Sequence, residues 1–235
     1  MSRLVELEAR PASCRLDTES TAVVVVDMQN DFGSPGGMFD RAGIDIKAIQ
    51  AIVEPIGRVL DVARAGGMPV IYLKMAFQPD LSDASHPDGP TWLKHVPLHA
   101  GEPTTAPDGT PSRILIRDTW NTEIVDELQP EAEDIVIYKN RYSGFYNTTL
   151  EETLRRRGVD TIVVVGATTS VCVDSTVRDA VFRDFHCIVL EDCTTEPIAH
   201  DAPRSNHEAT LLTLELLFAS VSTGEALIAS LSESR

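Results

Sequence analysis

The first strong hydrophobic signal in the chain is Thr21-Ala-Val-Val-Val-Val26, a β-branched run with no polar alternation. Such a run suits a strand covered on both faces, as in a parallel sheet. It ends at Asp27, and the Gly33-Ser-Pro-Gly-Gly37 cluster that follows reads as loop. From Ile46 to Ala65 apolar residues recur at helical spacing (Ile49, Val53, Ile56, Val59, Leu60, Ala63), and Pro55 predicts a kink or a break into two helices. After Gly66-Gly67, Pro69-Val-Ile-Tyr-Leu73 reads as the next strand.

Between residues 76 and 112 the chain is rich in Pro, Asp, Gly and His and has no periodicity. A stretch that long inside a compact domain points to a functional lid or an interface. Regular patterning returns with a strand at Ile135-Val-Ile-Tyr138. Thr148-x-x-Glu151 reads as a capping box opening a helix that stops near Gly158. Then come a strand over Ile162–Val165, a helix around Cys172 to Phe182, a strand over Cys187–Leu190, and helices over Ser205–Phe218 and Leu227–Leu231. Strands alternating with helices predict an α/β fold, a mainly parallel sheet sandwiched by helices in three layers. Residues 1–235 are read as one domain, with residues 1–20 as an N-terminal arm.

Composition narrows the function classes. With 36 acidic and 20 basic side chains the net charge is −16, which argues against nucleic acid or an anionic membrane as partner. It leaves a small-molecule substrate open, because one local cation outweighs a distant field within a Debye length. The N-terminal residues lack the apolar stretch of a secretory signal. Cys14, Cys172, Cys187 and Cys193 form no C-x-x-C pair or ligand spacing, and the six histidines show none either. A cytoplasmic protein without metal or cofactor is expected.

Ligands bind beyond the carboxyl ends of parallel strands. Three strand ends here carry reactive types: Asp27, Lys139, and Cys172 after Gly166-Ala-Thr-Thr-Ser-Val. Taken singly, Asp27 reads as a turn former and Lys139 as a solvated lysine. Cys14, Cys187 and Cys193 read as small core hydrophobes. Cys172 differs, because it opens a helix whose N–H groups favour the thiolate. Together the three suit amide hydrolysis. A thiol of pKa about 8.5 is mostly protonated at neutral pH. A lysine ammonium stabilises its thiolate, and a carboxylate takes the proton and later returns it to a leaving amine.

At these residues the chain resembles the isochorismatase-like cysteine hydrolases. The matching blocks are Val25-Val-Asp-Met-Gln-Asn-Asp-Phe32, Lys139 after its strand, and Gly166-Ala-Thr-Thr-Ser-Val-Cys-Val173, within a similarity running from about Thr21 to about Leu231. The resemblance implies an Asp27–Lys139–Cys172 triad, a cis peptide between Ala167 and Thr168, and an oxyanion hole from the backbone N–H groups of Thr168 and Cys172. It also implies a homo-oligomer, dimer or tetramer. Pro35-Gly-Gly37, Arg141-Tyr-Ser-Gly-Phe145, Asn147-Thr148 and Cys172-Val-Asp-Ser-Thr-Val-Arg-Asp179 are similar to the ureidoacrylate amidohydrolases of pyrimidine degradation. That similarity implies cleavage of the carbamoyl C–N bond of a small ureido acid. Some members carry Gln-Asn where this chain has Lys74-Met75. Candidate substrate contacts are Gln29 and Asn30 beside Asp27, Lys74 and Arg141 as carboxylate partners, and Phe77, Trp92 and Tyr142 as walls. The alternatives are a related amidase acting on biuret, an N-carbamoyl amino acid or a nicotinamide-like amide, and a thiol sensor that uses Cys172 without turnover.

Overall fold

In a computed structural model, residues 4–198 and 205–232 are described. Strands are numbered in chain order: β1 (Leu4–Leu7), β2 (Cys14–Asp17), β3 (Thr21–Val26), β4 (Val70–Met75), β5 (Pro103–Thr105), β6 (Pro111–Arg113), β7 (Ile135–Lys139), β8 (Thr161–Ala167), β9 (His186–Thr195) and β10 (Ser220–Ser222). Six of them form the central sheet in the order β10-β9-β8-β3-β4-β7, with every pair parallel. The β3, β4 and β8 strands are buried along their whole length, because helices cover both faces.

The two faces bury separate hydrophobic clusters. Val23, Val25, Tyr72, Val163 and Val165 lie in one cluster with residues of the Val53–Ala65 and Gly224–Ser232 helices. Val24, Val26, Ile71, Leu73 and Val164 lie in the other with residues of the Leu150–Arg156, Asp174–Val181 and Asn206–Leu217 helices. Alternation along each strand thus serves two apolar layers, the three-layer sandwich expected. Among the described residues no helix is long and apolar enough to cross a membrane.

Several local readings change. The Ile46–Ala65 segment does split, into Lys47–Ala51 and Val53–Ala65, but at Ile52. Pro55 sits in the first turn of the second helix, where its missing N–H is no loss. Thr148 and Glu151 form no capping box: the Thr148 hydroxyl bonds the Gly144 carbonyl and accepts from the Leu150 amide, while Glu151 pairs with Arg183. A capping box does form at Ser205 and Glu208. The N-terminal arm contains an antiparallel hairpin, β1 with β2, whose Val5, Leu7 and Leu16 join the first core cluster. The 76–112 stretch holds a short helix, Pro90–His95, a 3₁₀ turn, Val96–Leu98, and the β5–β6 pair.

Candidate active site

The chain leaves β3 through β4 towards one edge of the sheet and later fills the other edge with β8, β9 and β10, so the order reverses between β3 and β8. A crevice opens at such a reversal, outside the carboxyl ends of the strands. There β3 passes into Asp27, which has a left-handed φ of 51°. Gly166 of β8 lies against Val26. Its φ is 112°, and a Cβ would stand 2.1 Å from the Val26 carbonyl oxygen, so only glycine fits. The pairing of β8 with β9 shifts register at this point. The Ala167–Thr168 peptide is cis. Beyond it Thr169–Val173 makes a π-helical turn that leads into the Asp174–Val181 helix. Cys172 therefore sits within a wide turn ahead of the regular helix instead of opening it.

Three side chains converge here. A Lys139 Nζ–Asp27 Oδ2 distance of 2.7 Å defines an ion pair, and Nζ also stands 3.5 Å from Cys172 Sγ and donates to the Arg141 carbonyl at 3.2 Å. All three residues are buried, Cys172 most accessibly at 7%. Lys139, the Cys172 thiol and the Met75 amide all act on the Asp27 carboxylate, the charge of Lys139 most strongly.

Burial raises the Asp27 carboxyl above its ordinary range, against the pull of Lys139. Burial also works against the Lys139 ammonium, but the charges of Asp27 and Cys172 outweigh it and the net direction is upward. The Cys172 thiol is pushed well up, first by burial and then by Asp27, with Lys139 opposing. The 2.7 Å contact pairs the Lys139 ammonium with the Asp27 carboxylate, beside a thiol that burial favours in its neutral form. Moving the thiol proton to Asp27 leaves ammonium, thiolate and carboxylic acid, and the cluster stays neutral throughout. That matters in a buried site, where any net charge is costly.

Asp27 and Cys172 open into a cavity of about 190 Å³, with Lys139 behind them. Phe32, Met38, Phe39, Ile44, Met75, Leu98, Val171 and Ile198 make its wall largely apolar. Phe32 and Phe39 pack edge to face at 4.9 Å. Thr168, His95, Tyr142 and Lys94 supply the remaining polar groups. His95 Nδ1 lies 2.7 Å from the Thr91 carbonyl, which can only accept, so Nδ1 carries the proton and Nε2 is the acceptor. Burial, together with Lys139 and Arg141, lowers its pKa and keeps the ring neutral.

Of the residues singled out from sequence, Thr168 and Tyr142 line this cavity, and six others face elsewhere. The Gln29 amide exchanges two hydrogen bonds with the Met75 backbone, each 2.9 Å, and closes the end of β4. Asn30 bonds the Trp120 carbonyl and Ser34. Lys74 turns to the Tyr138 hydroxyl and ring. Arg141 donates to the Asp83 and Asn140 carbonyls and stacks on Tyr146. Phe77 and Trp92 pack on one another, and Phe77 backs His95 rather than the cavity.

Residues missed from sequence are Lys94, His95 and Leu98, because their segment has no periodicity, and Asp31. The Asp31 carboxylate accepts from the Met38 and Leu115 amides and from the Asn121 side chain. It ties the residues after β6 to the start of the Met38–Arg41 helix, and so to the cavity wall. Its place in the Asp27–Phe32 block was the available signal.

Known proteins share this architecture. The isochorismatase domain profile matches residues 21–226. The chain is 41% identical, over 93% of its length and 89% of the relative's, to ureidoacrylate amidohydrolase RutB of Caulobacter segnis. Against the protein of the same name from Agrobacterium fabrum it is 40% identical over 92% of both chains. A cysteine hydrolase from Pseudomonas syringae pv. phaseolicola superposes with a TM-score of 0.77 at 30% identity over 99% of both chains. N-carbamoylsarcosine amidase from Thermoplasma acidophilum superposes with a TM-score of 0.64 at 27% identity, over 88% of this chain and 97% of its own. With the profile covering the sheet, the strand-end cluster and the turn that carries Cys172, the chain belongs to the isochorismatase family.

Proposed function

We propose that this chain is a cysteine amidohydrolase that cleaves the carbamoyl C–N bond of a small ureido acid, ureidoacrylate, as one domain. The observation that carries this reading is the buried Asp27–Lys139–Cys172 cluster at the wall of a cavity sized for a small molecule. An apolar cavity of about 150 Å³ holds benzene, so this one suits a ligand slightly larger. The substrate is narrowed by the similarity to proteins named ureidoacrylate amidohydrolase.

Binding of the ureido group beside Sγ starts the reaction. Asp27 takes the thiol proton while the Lys139 charge holds the thiolate, which attacks the ureido carbonyl carbon. The backbone N–H groups of Thr168 and Cys172 receive the oxyanion, where preorganised donors stabilise the charge as it develops. Collapse of the tetrahedral adduct breaks the C–N bond, and Asp27 returns its proton to the departing aminoacrylate nitrogen. A carbamoyl thioester remains on Cys172. Water then gives a proton to Asp27 and attacks the thioester; the thiolate leaves and is reprotonated. The released carbamate decomposes to ammonia and carbon dioxide.

The same reading places the enzyme in the cytoplasm as a homo-oligomer. Leu216, Leu217 and Phe182 are 65–71% exposed, an apolar face that a second copy would cover. Light scattering on the purified protein tests that point.

Ammonia release by wild type and Cys172→Ala, over ureidoacrylate, biuret, N-carbamoyl amino acids and nicotinamide, tests the activity. Turnover of ureidoacrylate that vanishes in the alanine variant is the expected result. Turnover that survives in Cys172→Ala, or that favours another amide, overturns it.

A further inference from the structure

A ureido acid has two unlike ends, and the cavity has two unlike ends to match. The reacting end holds the Asp27 carboxylate at the wall, with Lys139 behind it and already paired. A substrate carboxylate placed there would meet a like charge in a poorly solvated space, which disfavours it strongly. The ureido group therefore enters first and the carboxylate trails towards solvent. The chain as a whole repels an anion, with its net charge of −16, so the trailing end needs a local cation.

One side chain meets that need. Lys94, on the Pro90–His95 helix, is exposed and lines the cavity beside the buried His95. Lys94 is the one lysine or arginine in the cavity lining among the described residues, and it makes no ion pair or side-chain hydrogen bond with any of them. Arg141 and Lys74, the other cations considered for this task, are committed to carbonyls, to Tyr138 and to Tyr146. Away from Asp27 and Cys172 the wall is apolar apart from His95, Tyr142 and Thr168, none of which carries a positive charge.

We propose that Lys94 at the cavity mouth is the ion-pairing partner of the substrate carboxylate, and that it selects ureido acids over uncharged ureas. The inference rests on the ureido-acid reading given above. Lysine suits an exposed mouth: it acts as a mobile point charge on a flexible stem and needs no fixed fork geometry. Its contribution lies in binding and in steering an anion inward, not in the chemical step.

The test compares wild type with Lys94→Glu, Lys94→Ala and Lys94→Arg. It measures kcat and KM for ureidoacrylate and its saturated analogue ureidopropionate, and inhibition by N-propylurea, which lacks the carboxylate. Lys94→Glu should raise KM for both acids by roughly tenfold or more, with kcat within about twofold. Lys94→Arg should restore most of the loss, and N-propylurea should inhibit all four proteins alike. The salt dependence of kcat/KM should flatten in Lys94→Ala. An unchanged KM in Lys94→Glu removes Lys94 from the site. Equal weakening of acids and N-propylurea means packing damage and also overturns the inference. Failure of wild type to turn over any ureido acid, with turnover of neutral amides, would instead sink the parent reading, and this one with it.

Discussion

Lys139 and Asp27 form a 2.7 Å ion pair with both side chains fully buried, one at the end of an edge strand and the other at the end of a central one. β4 lies between those strands, so the Lys139 side chain reaches past the end of β4, which Gln29 caps. A buried pair adds little net stability, but breaking it strands a charge. Lys139→Met should therefore cost about 3–5 kcal/mol in urea unfolding and abolish ammonia release. Asp27→Asn combined with Lys139→Met should recover most of the stability and none of the activity. A double variant as unstable as the single one would show that the pair is not a self-contained electrostatic unit.

The upward shift of Cys172 makes a prediction about the free enzyme. Its thiol should be largely protonated at neutral pH, so alkylation by iodoacetamide should rise with pH well beyond the ordinary thiol inflection near ~8.5. Burial slows the reagent at every pH, and the informative quantity is therefore the position of the inflection. Lys139→Met removes the one group that favours the thiolate and should move the inflection further up. An inflection below 8 in wild type would mean that the thiolate is preformed without substrate.

Gln29 separates a structural role from a contact role. Both ends of its amide are occupied by Met75, so Gln29→Leu leaves a backbone N–H and a carbonyl unpaired in a buried place. The expected cost is about 1–3 kcal/mol of stability, with kcat lowered and KM little changed. A stable variant whose KM alone rises would return Gln29 to the substrate. By the same geometry Arg141→Lys should leave KM nearly unchanged, because that guanidinium faces the carbonyls of Asn140 and Asp83.

What could be read in the sequence followed from local chemistry. The β3, β7 and β8 strands announce themselves by their β-branched runs, and Asp27, Lys139 and Cys172 can be singled out because each lies at or beyond the end of one of them. Side-chain direction after the strand is another matter. Gln29 is next but one to Asp27, yet it points at Met75, a partner 46 residues away, and spacing does not encode that. Lys94 and His95 lie on a six-residue helix inside a stretch with no period, too short for amphipathic patterning to register. The β1–β2 hairpin and β10 were hidden for a similar reason, with strands of three or four residues and polar positions on one side. Pairing across the fold creates those strands, and local propensity does little to mark them.

Asp31 carries the last prediction, because it links the wall of the cavity to pH. Burial pushes its carboxyl up to about 7, against three donors: the Asn121 side chain and the Leu115 and Met38 amides. The unfolded chain releases this proton near ~3.9, so between about pH 4 and 7 the folded state binds the more protons. Stability from this group is then fully present below about pH 4 and is lost as pH rises through about 7, with a slope of at most about 1.4 kcal/mol per unit. Asp31→Asn abolishes the titration and also turns a donor towards the Leu115 amide, at a cost of about 1–3 kcal/mol. Urea unfolding of both proteins from pH 5 to 8 should therefore give curves that converge as pH rises, the variant lying lower and flatter. Parallel curves would mean that Asp31 is ionised throughout, its three donors having overcome burial. In that case the carboxylate would hold the Met38 and Leu115 segments together equally well across the whole range.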